Sequence, residues 1–492
     1  MKTVKSLILG SAAALFAMSG AQAADLPIKA KAVEYVKVCS LYGAGFYYIP
    51  GTDTCIKLGG YVRADYTGAG GDYGFMGSSG TSNAGSNNRL TNYWTTRARM
   101  DFNVDTRTAT EYGVVRTFAD MVFTVDSGTA GAGAAAGLGL YHAFIQFAGF
   151  TFGRTVSIFD MPWQGYPAGG PDTVPGGSNH VTGINQVAYT ADFGQGVTAS
   201  IALEDPTTPG NGQANVFNTS IVPTAGQFQS GIYGTNSWGG SRSPDIVGAV
   251  RVDQAWGLFQ FGVAAHDIHP TYYGASEITG HPSDKWGWAV QAGLSIKNIP
   301  TGPGDSINMQ AVYADGDIHA VLGNIAWPLN FGMYSGSTTA YQSVGFASLV
   351  DGVFGAAGTQ IETSKAWGFR GGYTHNWSPN WATGLYGGYA QVRYGAAGSA
   401  LICNNFATLG PSAGAVCNPD FNVGVVGANV VWTPVKGLAF TADVHWMNLD
   451  QKYSGTISGA NTAVAAFGKP ANVYELKDQN SLNFLLRAQR NF

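Results

Sequence analysis

A rhythm in its connections constrains this chain more than any single motif. Sixteen segments, near 56–66, 93–104, 111–124, 139–148, 150–156, 184–192, 196–204, 245–253, 257–267, 285–297, 305–315, 364–375, 381–393, 421–433, 437–448 and 480–492, read at period two. Ile56, Leu58, Val62 and Tyr66 alternate with Lys57, Arg63 and Asp65. Trp94, Ala98, Met100, Phe102 and Val104 alternate with Arg97, Arg99, Asp101 and Asn103. Such alternation marks a strand with one apolar and one polar face. Segments 150–156 and 381–393 carry the pattern weakly. After each even-numbered segment comes a short turn, such as TRTAT, a single Gly149, FGQ, QAW, NWSPN or PVK; after each odd-numbered one comes a long Gly/Ser/Asn-rich loop. Soluble sandwiches do not sort their connections by length. A membrane barrel does, with an even strand number, short periplasmic turns and long external loops.

The physical basis is hydrogen bonding. In lipid every backbone N–H and C=O must find a partner within the protein, and a closed barrel supplies one with no open edge. About ten tilted residues cross the hydrocarbon. After residue 23 no run of eighteen apolar residues occurs, so no spanning helix competes with this reading. Charged residues make up 11% of the chain, against about 25% in soluble domains. A lipid-facing surface explains that deficit; disorder does not, because aromatics reach 13%. The expected fold is all-β, a sixteen-stranded antiparallel transmembrane barrel, wide enough to hold water.

Residues 1–23 read as a secretory signal: Lys2 and Lys5, an apolar core from Leu7 to Met18, and a small-residue cleavage site at Ala21-Gln22-Ala23. Export then sets the context for four cysteines. Three pairings are open, and Cys39–Cys55 with Cys403–Cys417 is favoured because each pair is close in sequence. Buried free thiols are the alternative; metal binding lacks a CxxC or Cys/His cluster. Residues 24–55 form a periplasmic leader with a disulfide loop, and 56–492 form the barrel. Cleavage leaves 24 basic and 30 acidic residues, net −6, which argues against a nucleic-acid partner.

The loop near 157–183, SIFDMPWQGYPAGGPDTVPGGSNHVTG, holds four prolines and the acids Asp160 and Asp172. It is stiff and low in charge, suited to folding inward as a constriction. Strand parity sends Arg63, Arg97, Arg99 and Arg116 into the lumen from three successive strands, and Arg251, Arg370 and Arg487 from others. Arginines facing loop carboxylates would set a field across the narrowest point; salt bridges that only brace the wall are the plainer alternative. Arg154 is ambiguous: alternation sends it to lipid, and a bulge at Gly153 would turn it inward. Trp94, Trp286, Trp288, Trp381, Trp432 and Trp446 suit interfacial girdles. His266-Asp267-Ile268-His269 and Asp315-Gly316-Asp317 read as solvated loop residues rather than metal ligands. No catalytic arrangement of serines and histidines is found in the sequence, so neither an enzyme nor a cofactor is expected.

Residues 480–492, NSLNFLLRAQRNF, close the count. Leu482, Phe484, Leu486, Ala488 and Phe492 share one face, Asn483, Arg487, Gln489 and Asn491 the other, with Leu485 and Arg490 out of pattern. This strand is expected to pair with 56–66.

The sequence also resembles a known family. AADLPIKAKAVEYVKVCSLYGAGFYYIPGTDTCIKLGGYVRADY is similar to the mature start of alphaproteobacterial trimeric porins, FIQFAGFTFGRTVSIFD to the entry of their constriction loop, and the terminal Phe492 to the signal that outer-membrane insertion machinery reads. The resemblance implies an outer-membrane homotrimer that passes small hydrophilic solutes and ions by passive diffusion, with Asp160–Gly183 as the constriction loop and the arginines at 63, 97, 99 and 116 lining the eyelet. A substrate-specific channel, for sugars for example, is the alternative; it calls for a track of lumen-facing aromatics, for which Phe118 and Tyr61 are the candidates.

Overall fold

The computed structural model describes residues 37–69, 94–127, 135–170, 174–207, 215–323, 330–458 and 469–492. The signal-peptide reading, residues 24–36 of the leader and Asp172 lie outside them. Sixteen antiparallel staves form one closed sheet: β1 Thr54–Ala69, β2 Trp94–Thr110, β3 Gly113–Asp126, β4 Ala135–Phe147, β5 Phe150–Thr155, β6 Ile184–Asp192, β7 Val197–Glu204, β8 Asp245–Gln254, β9 Gly257–Ile268, β10 Lys285–Lys297, β11 Ser306–Asp315, β12 Lys365–Ser378, β13 Trp381–Arg393, β14 Phe421–Val435, β15 Leu438–Gln451 and β16 Gln479–Asn491. Each pairs with its sequence neighbours, and β16 pairs with β1 from Tyr61↔Asn491 to Ala69↔Asn483. That last ladder removes the edge that an open sheet would expose to lipid.

Short turns and long loops sort to opposite ends. Tight reversals are local chemistry: Ala148 and Gly149 between β4 and β5 both take positive φ, 50° and 86°, the geometry of a two-residue hairpin. β2 runs on through the stretch 106–110 that was expected to be a turn. Its threonines are β-branched and ladder with β3 from Thr106↔Thr117 to Thr110↔Gly113.

The outer face is apolar and exposed, with Val62, Met100, Phe123, Phe152, Phe261, Phe369, Val444, Leu482 and Leu486 among its members. Aromatics gather at both rims. Trp381, Trp432 and Phe440 stack in a row beside the short turns, with centroids 5.8 and 5.4 Å apart. Tyr66–Trp94 and Trp288–Tyr313 pair at the loop end, at 5.6 and 5.4 Å.

The leader sits at the short-turn end. Tyr47 and Tyr48 pair with Ile56 and Cys55 of β1, and Cys39 is bonded to Cys55. The external loops are not loose. Val216–Asn218, Thr235–Asn236, Gly352–Phe354 and Glu362–Thr363 make one small sheet; Asn330–Ser335, Gln342–Ser348, Gly455–Ile457 and Tyr474–Leu476 make another. Between them Phe228, Tyr233, Phe346, Tyr394, Phe406 and Tyr453 form an aromatic core continuous with the inner faces of β13–β15 at Val392, Val423, Val425 and Leu449. At roughly 2 kcal/mol per buried large side chain, this cap holds itself against the wall. Cys403–Cys417 ties its helix Gly395–Cys403 to the segment that leads into β14. Leu485, a misfit on the polar face of β16, is buried, and Asn330–Ser335 runs beside that strand.

Candidate functional site

Loop 156–183, between β5 and β6, turns inward and lies on the wall opposite its origin. The polar side chains of that wall receive it by its backbone. Gln260 on β9 donates Nε2 to the carbonyls of Ile158, Phe159 and Asp160 at 3.2, 3.3 and 3.0 Å. Gln291 on β10 donates to the Phe159 carbonyl, Asn308 on β11 to Pro167 at 2.7 Å and Asn429 on β14 to Ala168 at 3.3 Å.

Arg370 on β12 is the strongest clamp. Its Nη1 donates to the Val174 and Gly177 carbonyls at 2.9 and 3.1 Å, its Nη2 to Ser178 at 2.6 Å, and its Nε to Gln310 Oε1 at 2.9 Å. Such contact requires glycine. A Cβ on Gly388 would stand 2.2 Å from the Pro175 carbonyl oxygen, and one on Gly372 would stand 2.7 Å from the Ala168 Cβ. The weak alternation of 381–393 has its reason here: Gly384 and Gly388 stand where lumen-facing side chains would, because the loop lies flat on them.

Asp160 lies in this loop, but not as a lumen-facing carboxylate. Its side chain is fully enclosed. Oδ1 lies 2.7 Å from His180 Nδ1, and Oδ2 accepts the His180 backbone N–H at 2.5 Å. Burial pushes this carboxyl upward, and the His180 charge with the side-chain and backbone hydrogen bonds of His180 more than reverses it, holding it below the usual range. Burial likewise disfavours the His180 cation, yet the Asp160 carboxylate raises the ring to about 9. The expected field between loop acid and arginines therefore does not come from Asp160, whose charge is spent within the loop.

The arginines stand across the lumen. Arg63 on β1, Arg97 and Arg99 on β2 and Arg116 on β3 occupy the face that alternates with exposed Val62, Met100 and Phe123. The wall carries acids too, which the parity argument passed over. Arg97 makes a two-point pair with Asp126 at 2.6 and 2.7 Å. Arg116 reaches Asp105 at 3.0 Å and Gln146 Oε1 at 3.0 Å, and Arg107 shares Asp105 at 3.0 Å. Arg487 on β16 takes Asp65 at 2.7 and 3.0 Å. Arg107 was hidden in the supposed turn; its spacing of two from Asp105 was the available signal.

Aromatics line the same wall. Phe118 and Phe144 stack at 5.4 Å, with the Arg116 guanidinium 5.3 Å from each ring. Arg63 lies over Tyr61 at 5.4 Å and Arg99 over Tyr141 at 5.9 Å. Below, toward the short turns, Tyr42 of the leader, Arg107, Arg116, Gln146 and Thr151 border an open space of about 560 Å³. Arg154 makes no register shift in its ladder; its Nε donates to the Thr182 carbonyl at 3.1 Å, at the foot of the loop. His266 and Asp267, expected in solvent, are buried, and His266 Nδ1 pairs with Asp245 at 2.9 Å. Among the described residues no group of three His, Cys, Asp or Glu converges on a metal position.

The closed barrel carries a loop folded against one inner wall and guanidiniums on the other. Residues 25–485 match the family described as Porin subfamily. The chain belongs to this porin family. It is 33% identical over 350 residues to Porin Omp2b of Brucella suis biovar 1 (strain 1330), covering 66% of this chain and 89% of that one. To Porin Omp2b of Brucella neotomae it is 33% identical over 366 residues, covering 70% and 93%. The barrel is similar in fold to the outer membrane channel DcaP of Acinetobacter baumannii, at a TM-score of 0.56 and 14% identity, over 90% of this chain and 99% of that one. The porin is a channel of the outer membrane and not an enzyme.

Proposed function

We propose that solutes and ions cross this porin through a gap bounded by loop 156–183 on one side and Arg63, Arg97, Arg99 and Arg116 on the other, and that these arginines govern which ions pass. The observation that carries this reading is the division of the lumen. The inner faces of β9–β14 are occupied by loop and cap, with Gln260, Gln291, Gln310, Arg370 and Val425 buried, while the arginine side chains at 63, 97 and 116 keep 12%, 16% and 29% exposure. Guanidiniums lining a narrow aqueous path discriminate among ions. Asp172, by its position in the loop, is the remaining candidate for a facing carboxylate. Purified protein in planar bilayers should give stepwise conductance; folded protein without conductance would overturn the reading.

The family likeness supports a homotrimer, with steps in multiples of three. It also supports cleavage after Ala23, so that the mature protein starts at Ala24, and a role for Phe492 in recognition by the insertion machinery. Phe492 is 60% exposed at the end of β16, as a handle needs to be. Its deletion should cut assembly without altering the conductance of pores that form.

A substrate-specific channel, for sugars for example, is the second reading. Phe118, Phe144, Tyr61 and Tyr141 along one wall favour it. It predicts sugar flux that saturates, where free diffusion predicts flux proportional to concentration.

A further inference from the structure

On the lumen face of β16 and β1, two guanidiniums meet one carboxylate, and a third stands beside them on β2. Asp65 is fully enclosed and taken up by Arg487 through Nε and Nη2. Arg63 approaches the same carboxylate only at 3.3 Å, and its buried Nε has no aligned hydrogen-bond acceptor. Arg99 is the register partner of Arg63. It donates Nε to Thr124 Oγ1 at 2.9 Å and makes no ion pair within 4.0 Å among the described residues. Like charges directly opposite on adjacent strands destabilise a sheet. Neighbouring positions avoid that cost, since Arg97 has Asp126 and Arg116 has Asp105. Arg63, Arg99 and Arg487 here outnumber Asp65 by two charges, with Asp101, buried two residues along β2 from Arg99, the next acid on this face. Each guanidinium of the opposed pair is seated on a tyrosine ring, Arg63 on Tyr61 and Arg99 on Tyr141, an attraction that fixes its plane.

We propose that Arg63 and Arg99 form a binding site for small solutes bearing a carboxylate, occupied transiently as they pass the waist. The inference rests on the reading of this wall as the open side of the channel. The planar guanidinium fork matches a carboxylate in two-point geometry, which chloride lacks. The Nη groups of Arg63, which make no hydrogen bond among the described residues and are not enclosed as its Nε is, supply the donors, and Arg99 supplies a charge with no acid within 4.0 Å among the described residues. Arg487 adds positive field without being available, because Asp65 occupies its fork. A site in a channel must also release its occupant. The single partial counter-charge of Asp65 weakens binding in the manner that release requires.

The test uses the full-length mature protein in planar bilayers, with potassium acetate added to a constant potassium chloride background. Acetate should reduce the chloride current in a saturable way. R63Q and R99Q should each raise the half-saturating concentration about tenfold or more, as the loss of a charge-assisted hydrogen bond would. R63K, which keeps charge and loses the fork, should fall between wild type and R63Q. R242Q removes a charge from an exposed external loop and should match wild type. A chloride current that falls in strict proportion to acetate, or equal half-saturation in wild type and R99Q, overturns the site while leaving the channel reading intact. Absence of conductance in chloride alone would overturn both. Retained heat-modifiable migration in detergent gels confirms that each variant is folded.

Discussion

Asp160 and His180 join the two ends of loop 156–183: twenty residues apart in sequence, their side chains meet at 2.7 Å in a buried site. The pair fixes a pH window. The stabilisation that depends on charged His180 is complete below its ordinary value near 6.5 and is lost as pH rises through about 9. The part that depends on ionised Asp160, whose value is lowered, is present above about 4 and lost as pH falls below it. The clasp is worth about 3 kcal/mol on the histidine side. Single-channel current should therefore be quiet from about pH 5 to 8 and become noisy above about pH 9, while H180Q should be noisy throughout. A wild-type channel unchanged at pH 10 would contradict the clasp.

Arg370 acts on the same loop from the opposite wall. R370M leaves the carbonyls of Val174, Gly177 and Ser178 without the donors they now have. The cost should be about 3 kcal/mol or more, concentrated in the loop. We expect larger and more variable single-channel conductance with the barrel still heat-modifiable on gels. Unchanged conductance would mean that the loop is held elsewhere.

The glycines under the loop give a steric test. G388A places a methyl group 2.2 Å from the Pro175 carbonyl oxygen, whereas a Cβ on Gly424 would meet nothing closer than 3.7 Å. G388A should destabilise by about 1–3 kcal/mol and alter conductance, and G424A should do neither. Equal melting temperatures for the two variants would show that the loop does not press on β13.

How much of this was legible beforehand follows from what each residue answers to. Period-two alternation and connection length are local, so the sixteen staves and the pairing of β16 with β1 could be read from sequence. Leu485, His266, Gly384 and Gly388 could not. Gly384 and Gly388 lie under Ala168 and Pro175, more than two hundred residues away in sequence, and a lumen-facing position normally reads as wet. Asp160 shows the same limit: its place in the loop was legible, but its consumption by His180 was not, since the two meet only once the loop has turned on itself. Arg107 was missed for a smaller reason, a threonine-rich stretch taken for a turn.

The cap offers a prediction on stability. Breaking Cys403–Cys417 with paired serines opens a loop of fourteen residues. This should cost about 3 kcal/mol, confined to the cap because the barrel ladders do not pass through it. Limited proteolysis should cut between 394 and 420 in the variant and in reduced wild type, leaving the staves intact. Equal resistance of both forms would place the cap's stability in its aromatic core instead.

The most direct test of the whole account is the reversal potential across a potassium chloride gradient, measured for wild type and for the double variant R97Q/R99Q. Removing two positive charges from the open wall should shift permeability toward cations by several millivolts or more while preserving conductance. An identical reversal potential in the two proteins would contradict the claim that ions pass along the arginine wall.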